Sequence, residues 1–164
     1  MDRLWAPWRM DYVAAPDKSS GGCVFCAARD SDDDRESLVI CRGESAFAIM
    51  NLYPYNNGHL LICPHDHAEQ LEALAPSVQH EMLEIATRLM AIMREKMNAQ
   101  GFNFGANFGA AAGAGIEEHL HLHIVPRWSG DTNFMPVLGH TKVQVQGLKE
   151  TRDLLAKAWT ELDR

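Results

Sequence analysis

The hydrophobic and polar positions of the chain follow two periods, one typical of strands and one typical of helices. Short runs rich in Val, Ile, Leu and Phe are separated by turn residues and predict strands. They cover residues 37–42, 46–51, 59–63, 102–108 and 119–125, with a weaker edge strand over 142–146. The sequence Asn56-Asn57-Gly58 predicts a tight turn between the second and third strands.

Two other segments repeat apolar residues every three or four positions and predict helices. The first begins at Pro76, is capped by Ser77 and continues until Gly101. Its apolar stripe is Val78, Met82, Ile85, Leu89, Met93 and Met97. The second helix closes the chain with Leu148, Leu154, Leu155, Ala158, Trp159 and Leu162. Neighbouring hairpins with helices outside them predict an α+β domain: an antiparallel sheet of about five strands with a long central and a C-terminal helix.

Length and charge limit the organisation and the partners of the chain. Its 164 residues predict one domain, with an N-terminal arm over 1–22 that carries Trp5 and Trp8, a core over 23–127 and an extension over 128–164. With 15 Lys and Arg against 22 Asp and Glu, the net charge of -7 argues against a broad nucleic-acid face. We expect neither nucleic acid nor membrane as a partner. A small phosphorylated ligand remains compatible with this charge.

The start of the chain and its cysteines indicate a cytoplasmic protein. The first 26 residues contain three acids and lack the apolar core of a signal peptide. Four cysteines are too few for a disulfide scaffold in a chain of this length, so we expect thiols. Cys41 and Cys63 are typical of buried thiols, whereas the spacing of Cys23 and Cys26 is typical of half a metal site.

The segment from His119 to Pro126 contains the most informative pattern in the sequence, three histidines that alternate with apolar residues. In a strand, His119, His121 and His123 share one solvent-facing side, about 7 Å apart, while Leu120, Leu122 and Ile124 are buried on the other. Pro126 is expected to end the strand. Two chemistries suit this face: attack of a neutral imidazole on phosphorus, or coordination of a catalytic zinc.

The loop before the histidines favours the first chemistry. Between Asn107 and Ile116 it carries Gly109, Gly113 and Gly115, which allow close approach of the backbone to a ligand and can direct N–H groups at an anion. A phosphate cradle therefore fits the site better than a metal cavity. Arg127 is a further candidate donor to phosphate.

The segment His119-Leu-His-Leu-His-Ile-Val125 matches the signature of the histidine triad (HIT) family at every position. The stretch from Phe47 to Pro64 and the Cys23-Val-Phe-Cys26 pair also resemble this family. The flanks, Leu4-Trp-Ala-Pro-Trp-Arg-Met10 and Pro126-Arg-Trp-Ser-Gly-Asp-Thr-Asn-Phe-Met135, resemble a branch that includes diadenosine tetraphosphate phosphorylases. These enzymes use inorganic phosphate to produce ATP and ADP.

The resemblance implies roles for individual residues. His121 would be the nucleophile that takes the nucleotidyl phosphorus, flanked by His119 and His123, with His59 supporting the site from behind. The implied nucleotide-binding residues are Asn51 at the ribose, Phe47 and Ile49 at the base, and Asn107, Gly115 and Ile116 near the phosphates. Many family members have Gln, Ser or Thr where Gly115 stands, so only backbone N–H is offered there. The resemblance also implies a homodimer, for which the Met-rich helix face beginning at Val78 is suitable.

Members with the cysteine pair often complete a closed structural zinc site with two histidines. By position, the implied ligands are Cys23, Cys26, His67 and His119, with His65 competing for the place of His67. No organic cofactor is implied. Three alternatives to the phosphorylase remain: a hydrolase of other nucleoside phosphates or phosphoramidates, a zinc hydrolase, and a nucleotide-binding module without catalysis.

Overall fold

A computed structural model describes residues 22–132, 134, 138 and 145–162 of the chain. The described part has three α-helices and five strands, which confirms the predicted α+β class. In chain order the elements are α1 (Val24–Arg29), β1 (Val39–Arg42), β2 (Ala46–Met50), β3 (Leu60–Pro64), α2 (Pro76–Met97), β4 (Gly101–Gly105), β5 (Leu122–Arg127) and α3 (Leu148–Glu161). The predicted arm lies outside the described residues except for Gly22. The division of the chain into arm, core and extension stays a prediction.

The five strands form one antiparallel sheet in the order β1-β2-β3-β5-β4. The last strand in sequence, β5, lies between β3 and β4. Its residue His123 pairs with Leu61 on one side and with Gly105 on the other. This topology places the histidine segment in the middle of the sheet rather than at an edge.

The ends of β5 differ from those predicted. The strand begins at Leu122, because Leu120 donates its N–H to the carbonyl of Ala68 at 2.6 Å, outside the ladder. It also continues through Pro126, which pairs with Phe102 of β4. Pairing with β3 stops at Ile124, so the missing N–H of Pro126 does not interrupt that ladder.

Other element boundaries also differ from those predicted. Strand β4 ends at Gly105, three residues before the predicted end. Of the predicted edge strand over 142–146, residues 142–144 lie outside the described residues, and the last two form a bend. The six-residue helix α1 was not predicted, since one and a half turns carry too little periodicity to be recognised.

The long helix α2 has the predicted stripe but different ends. Its N-cap is Ala75 rather than Ser77, and Pro76 occupies the first turn, where a missing N–H costs nothing. It ends before Asn98, which adopts a left-handed conformation with φ of 52°. Its buried residues are Val78, Met82, Ile85, Ala86, Leu89, Ile92 and Met93.

Two apolar clusters cover the two faces of the sheet. The larger cluster joins α2 to the sheet and includes Met82, Leu89 and Met93, so the Met-rich face predicted for dimerisation packs inside its own chain. The smaller cluster lies on the other face and joins Phe25 of α1 to Phe47 and to other residues of the first three strands. Among the described residues, no helix is long and apolar enough to cross a membrane.

Gly58 in the turn before β3 is a position that only glycine fits. Its φ is +76°, and a Cβ would lie 2.8 Å from Met97 Cε and 3.3 Å from Pro126 Cγ. We expect Gly58→Ala to lower the free energy of unfolding by about 2 to 3 kcal/mol, from backbone strain and crowding. Gly105→Ala is the control in urea denaturation, since its Cβ would meet nothing within 4 Å. Equal losses for the two variants would contradict this explanation.

Candidate active site

The His121 ring is held beneath the surface just before β5. Its side chain is not solvent-facing as predicted: the residue is only 7% exposed, because strand alternation does not apply before Leu122. The Nδ1–H donates to the carbonyl of His119 at 2.8 Å, which leaves the Nε2 lone pair available. Burial lowers the pKa of His121, so the ring is neutral near pH 7. A neutral imidazole with a fixed tautomer is suited to nucleophilic attack.

The aromatic ring of Phe25 covers this region from α1. Its centroid lies 4.9 Å from that of His121 and 5.3 Å from that of His119. The sequence analysis missed this residue. The available signal was its position between Cys23 and Cys26, which were already predicted to lie beside His119.

A chain of hydrogen bonds fixes the protons of His59 and His123. The backbone N–H of Tyr55 donates to His59 Nδ1 at 3.0 Å, so that nitrogen is unprotonated. The proton of neutral His59 is then on Nε2, which donates to His123 Nδ1 at 2.9 Å. His123 in turn carries its proton on Nε2. The arrangement gives His123 a proton that can be donated to a leaving group.

Two other side chains support this pair. Asn51 accepts the N–H of Tyr53 on Oδ1 at 2.9 Å, which directs its amide Nδ2 toward His59 Nδ1 at 3.2 Å. The ring of Tyr55 stacks on that of His123 with an interplanar angle of 9° and a centroid distance of 5.9 Å. Asn51 was predicted at the ribose. Tyr55 was missed, because nothing in the sequence connects an aromatic residue beside the predicted turn with the histidines.

The remaining predicted nucleotide-binding residues lie around the same face. Phe47 is fully buried and Ile49 is 8% exposed, both in the cluster that contains Phe25. Ile116 packs against this cluster, Asn107 is half-buried and Gly115 is exposed. The structure therefore brings Ile116 and the apolar strand residues together. Of these apolar residues, Ile116 is the most accessible to a ligand.

The glycine-rich loop before the histidines turns sharply at two glycines. Gly109 and Gly113 have φ of +75° and +84°, at the two ends of a single helical turn over Ala110–Ala112. The N–H of Ala110 donates to the Glu117 carboxylate at 2.9 Å. This backbone N–H is therefore already bonded to a carboxylate of the chain itself. The phosphate cradle stays a prediction.

Four residues predicted as metal ligands come together beside the histidine segment. The ligand atoms of Cys23, Cys26, His67 and His119 all lie within 4.8 Å of one another. His119 Nδ1 lies 3.2 Å from Cys23 Sγ and 3.6 Å from Cys26 Sγ, and His67 Nδ1 lies 3.4 Å from Cys26 Sγ. Tetrahedral zinc separates sulfur and nitrogen ligands by about 3.5 Å. These distances fit a metal of this class.

The hydrogen bonds and charges around the cluster also fit a metal. His119 Nε2–H donates to the carbonyl of Pro64 at 3.0 Å, so the lone pair of Nδ1 faces the two sulfurs. Burial, followed by the neighbouring Cys23, raises the pKa of the Cys26 thiol, so a thiolate there requires a nearby cation. His65, the competing ligand, instead points to the carbonyl of Gly43 and stacks on Phe47.

Arg127, predicted as a phosphate donor, is already engaged by a carboxylate. Its Nε and one terminal nitrogen donate to Asp131 at 2.6 and 2.9 Å, and the other terminal nitrogen donates to Asn103 at 2.8 Å. This fork-shaped pairing and the bond to Asn103 use three of the five guanidinium N–H groups. The role of Arg127 as a donor to the ligand stays a prediction.

The same ion pair predicts a dependence of stability on pH. Arg127 is the main cause that lowers the pKa of Asp131 from 3.8 to about 2. The stabilisation is present above pH 4 and is lost as pH falls toward 2, and it amounts to about 1 to 2 kcal/mol because Arg127 is partly exposed. The difference in unfolding free energy between wild type and Asp131→Asn should therefore shrink between pH 6 and pH 2.5. A constant difference would contradict this assignment.

The family of the chain follows from a comparison with known sequences. The sequence model of the HIT domain matches residues 33–130, which is more than half of the chain and includes all three histidines. The chain belongs to the HIT family.

Relatives within the HIT family include named enzymes. An AP-4-A phosphorylase of Mycobacterium tuberculosis is 39% identical over 97% of this chain and 85% of that protein. A bis(5'-adenosyl)-triphosphatase of Dictyostelium discoideum is 32% identical over 57% of this chain and 62% of that protein. The first of these similarities extends through the flanks of the HIT domain as well as through its core.

Solved HIT structures have the same fold. A Zn-bound histidine triad family protein from Mycobacterium smegmatis is 30% identical, covers 87% of this chain and 96% of its own, and superposes with a TM-score of 0.68. A histidine triad nucleotide-binding protein from Sulfolobus tokodaii is 25% identical, with the same 87% coverage of this chain, 95% of its own and a TM-score of 0.69.

Proposed function

We propose that this HIT protein is an enzyme that cleaves dinucleoside polyphosphates through a covalent nucleotidyl group on His121. The best candidate reaction is phosphorolysis of diadenosine tetraphosphate to ATP and ADP. The observation that carries the proposal is the pair of fixed tautomers: His121 offers a lone pair on Nε2, and His123 offers a proton on Nε2. The similarity to an AP-4-A phosphorylase over nearly the whole chain supports the substrate class.

The reaction takes place in two displacements. His121 Nε2 attacks the phosphorus of one adenylyl group, forming a P–N bond as the P–O bond to the departing ATP breaks. His123 donates its Nε2 proton to the departing oxygen, which offsets the negative charge that develops there. An oxygen of the hydrogen phosphate ion then attacks the adenylyl phosphorus and gives its proton back to His123 Nε2. The P–N bond breaks, ADP is released and both histidines are again neutral. Because the transfer is split into two steps, the same site can release ATP in the first step and use inorganic phosphate in the second.

Product analysis tests this proposal. Purified protein is incubated with diadenosine tetraphosphate, with and without inorganic phosphate, and the nucleotides are separated. The expected result is that ADP and ATP form in equal amounts, and only when inorganic phosphate is present. AMP and ATP, independent of phosphate, would identify a hydrolase of the same family instead. Tight binding without turnover of any adenylated compound would overturn the enzymatic proposal and favour a nucleotide-binding module.

We also propose that zinc is bound by Cys23, Cys26, His67 and His119. All four tetrahedral positions would be taken by protein side chains, which is typical of a structural site and argues against a zinc hydrolase, whose metal keeps a position for water. Bound zinc would supply charge that keeps both sulfurs as thiolates. His119 belongs to both sites, since its ring faces the sulfurs while its carbonyl holds the His121 ring.

A homodimer in the cytoplasm completes the proposal. Strand β4 is the outer strand of the sheet beside β5, and its side chain Phe104 is 44% exposed. Pairing of β4 with the β4 of a second chain would cover the Phe104 side chain and the backbone N–H and C=O groups on this outer edge. It would also bring two active sites together. Among the described residues, the four cysteines form no disulfide, which is compatible with a reducing compartment.

The dimer is tested by placing a charge on the proposed interface. Because two Phe104 side chains would approach each other across paired β4 strands, Phe104→Glu is expected to shift the sedimentation mass from two chains to one. Leu83→Glu, at an exposed apolar residue on α2, is the comparison for a general loss of surface hydrophobicity. A wild-type protein that sediments as one chain would contradict the proposed dimer.

A further inference from the structure

A network centred on one carboxylate ties the segment after β5 to the turn before β3. The Asp131 side chain, 8% exposed, accepts from Asn56 Nδ2 at 2.9 Å and from the backbone N–H of Trp128 at 3.1 Å, in addition to Arg127. Asn56 Nδ2 also donates to the carbonyl of Pro126 at 3.1 Å. The turn is therefore fixed by charge-assisted hydrogen bonds from a part of the chain more than seventy residues away.

The other side of the same turn faces His59. The Asn56 carbonyl accepts the N–H of His59 at 3.1 Å. The adjacent residue, Tyr55, gives its N–H to His59 Nδ1 at 3.0 Å. Tyr55 and Asn56 are consecutive residues of this turn, and Asn56 is held both at its side chain and at its carbonyl, so the turn that presents the Tyr55 N–H is anchored at the next residue. Asp131 thus acts on His59 through a short and continuous set of bonds.

Two donors held by this turn decide which nitrogens carry protons: the Tyr55 N–H, and the Asn51 amide Nδ2, which the Tyr53 N–H directs toward the same His59 Nδ1. A neutral imidazole can place its proton on either ring nitrogen. If the turn shifted and both donors moved away, His59 could hold its proton on Nδ1 and accept on Nε2 from His123 Nδ1–H. His123 would then have no proton on Nε2. The leaving group would lose the donor that the proposed reaction requires.

We propose that Asp131 and Asn56 are positioning residues that hold the turn over residues 53–58, so that neutral His59 and His123 both carry their protons on Nε2. This inference rests on the proposed function for the use of the His123 proton. The tautomers themselves are a property of the free protein. They can be measured without any substrate.

The test uses protein labelled with ¹⁵N in histidine and long-range ¹H–¹⁵N correlation spectra at pH 8. In wild type, the Nδ1 of His59 and His123 should have the shift of an unprotonated nitrogen and the Nε2 that of a protonated one. Asp131→Asn and Asn56→Ala are expected to move all four shifts toward intermediate values. Unchanged shifts in both folded variants would overturn the proposal.

A matched control separates positioning from general destabilisation. Glu81 is another carboxylate that holds a turn, since it accepts the backbone N–H groups of Glu44 and Ser45 at 2.6 and 2.7 Å, at the opposite end of β2. Glu81→Gln should lower the melting temperature about as much as Asp131→Asn but leave the four ring nitrogens unchanged. Equal changes of these shifts in Glu81→Gln would also overturn the proposal.

A leaving-group comparison gives the kinetic readout. With diadenosine tetraphosphate, Asp131→Asn should lower kcat about tenfold. This loss is smaller than the rate enhancement that a positioned general acid typically provides, because the variant changes only the position of the acid. With the 4-nitrophenyl ester of AMP, whose phenolate departs without a proton, kcat should change less than about twofold. Equal losses with both compounds would contradict the assigned role. If wild type turns over neither compound, the proposed function fails, while the nitrogen shifts still decide whether Asp131 positions the pair.

Discussion

Replacing His121 by alanine is expected to reduce turnover of diadenosine tetraphosphate by at least about 10⁴-fold, because removal of a covalent nucleophile removes the whole two-step pathway. The neutral ring, held by the carbonyl of His119, is the group that forms the P–N bond in the proposed reaction. Steady-state kinetics with product separation measures the loss. A decrease of less than tenfold would show that another group attacks phosphorus.

The burial of His121 requires a control for folding. The ring contacts Phe25 and is 7% exposed, so His121→Ala leaves a small cavity and should lower the unfolding free energy by about 1 to 3 kcal/mol. His121→Gln fills more of this space and should melt closer to wild type, yet be equally inactive. Addition of free imidazole to His121→Ala is a second control, because a diffusible ring can occupy the cavity and restore part of the turnover.

Replacing both Cys23 and Cys26 by serine is expected to remove bound zinc and to lower the melting temperature by about 10 °C. A structural zinc contributes several kcal/mol to folding, and its loss releases the ring of His119. Because the His119 carbonyl holds His121, turnover should fall as well, by about tenfold to a hundredfold. Metal analysis, calorimetry and kinetics on the same preparations measure the zinc content, the melting temperature and the turnover.

A second cysteine variant shows whether this loss is specific to the cluster. Cys41 is buried in the core on the α2 side of the sheet, outside the metal cluster. Cys41→Ala should retain one zinc per chain and lose only the stability expected for one buried thiol, about 1 kcal/mol. Wild-type protein that contains no metal after purification without chelators, and that gains no stability with added zinc, would contradict the zinc proposal.

The parts of the fold with a long, regular pattern could be predicted from the sequence. The stripe from Val78 to Met93 repeats over about four turns, and five apolar runs separated by turns produced the five strands of the sheet. Hydrophobic burial on one side is sufficient to specify such elements. Their ends could not be predicted, because a contact distant in sequence decides them, as Ala68 does for Leu120.

The candidate site could be predicted in composition but not in orientation. The three histidines lie in one segment, and the four residues predicted as metal ligands come together as the family resemblance indicated. The orientation of His121 was predicted incorrectly, because an alternation rule was applied to residues that precede the strand. Arg127 was assigned to the ligand although Asp131, four residues later, pairs with it. A charge pair that depends on how a chain turns back is not visible in one sequence.

Phe25, Tyr55 and Asp131 were missed for a common reason. Each lies in a segment too short for periodicity, and each reaches the histidines through a contact that spans much of the chain. Their residue types are ordinary for helices, turns and surface loops. Only the assembled sheet shows that α1, the turn before β3 and the end of β5 meet around the same rings.

The central claim is that His121 carries the nucleotidyl group, and trapping this adduct tests it most directly. The protein is mixed with diadenosine tetraphosphate without inorganic phosphate, quenched within milliseconds in alkali, where phosphorus–nitrogen bonds persist, and digested for mass spectrometry. The account predicts one adenylyl group on the peptide that contains His121, and its loss as ADP when phosphate is added before the quench. Turnover to ATP with no adduct on this peptide, or an adduct on another residue, would contradict it.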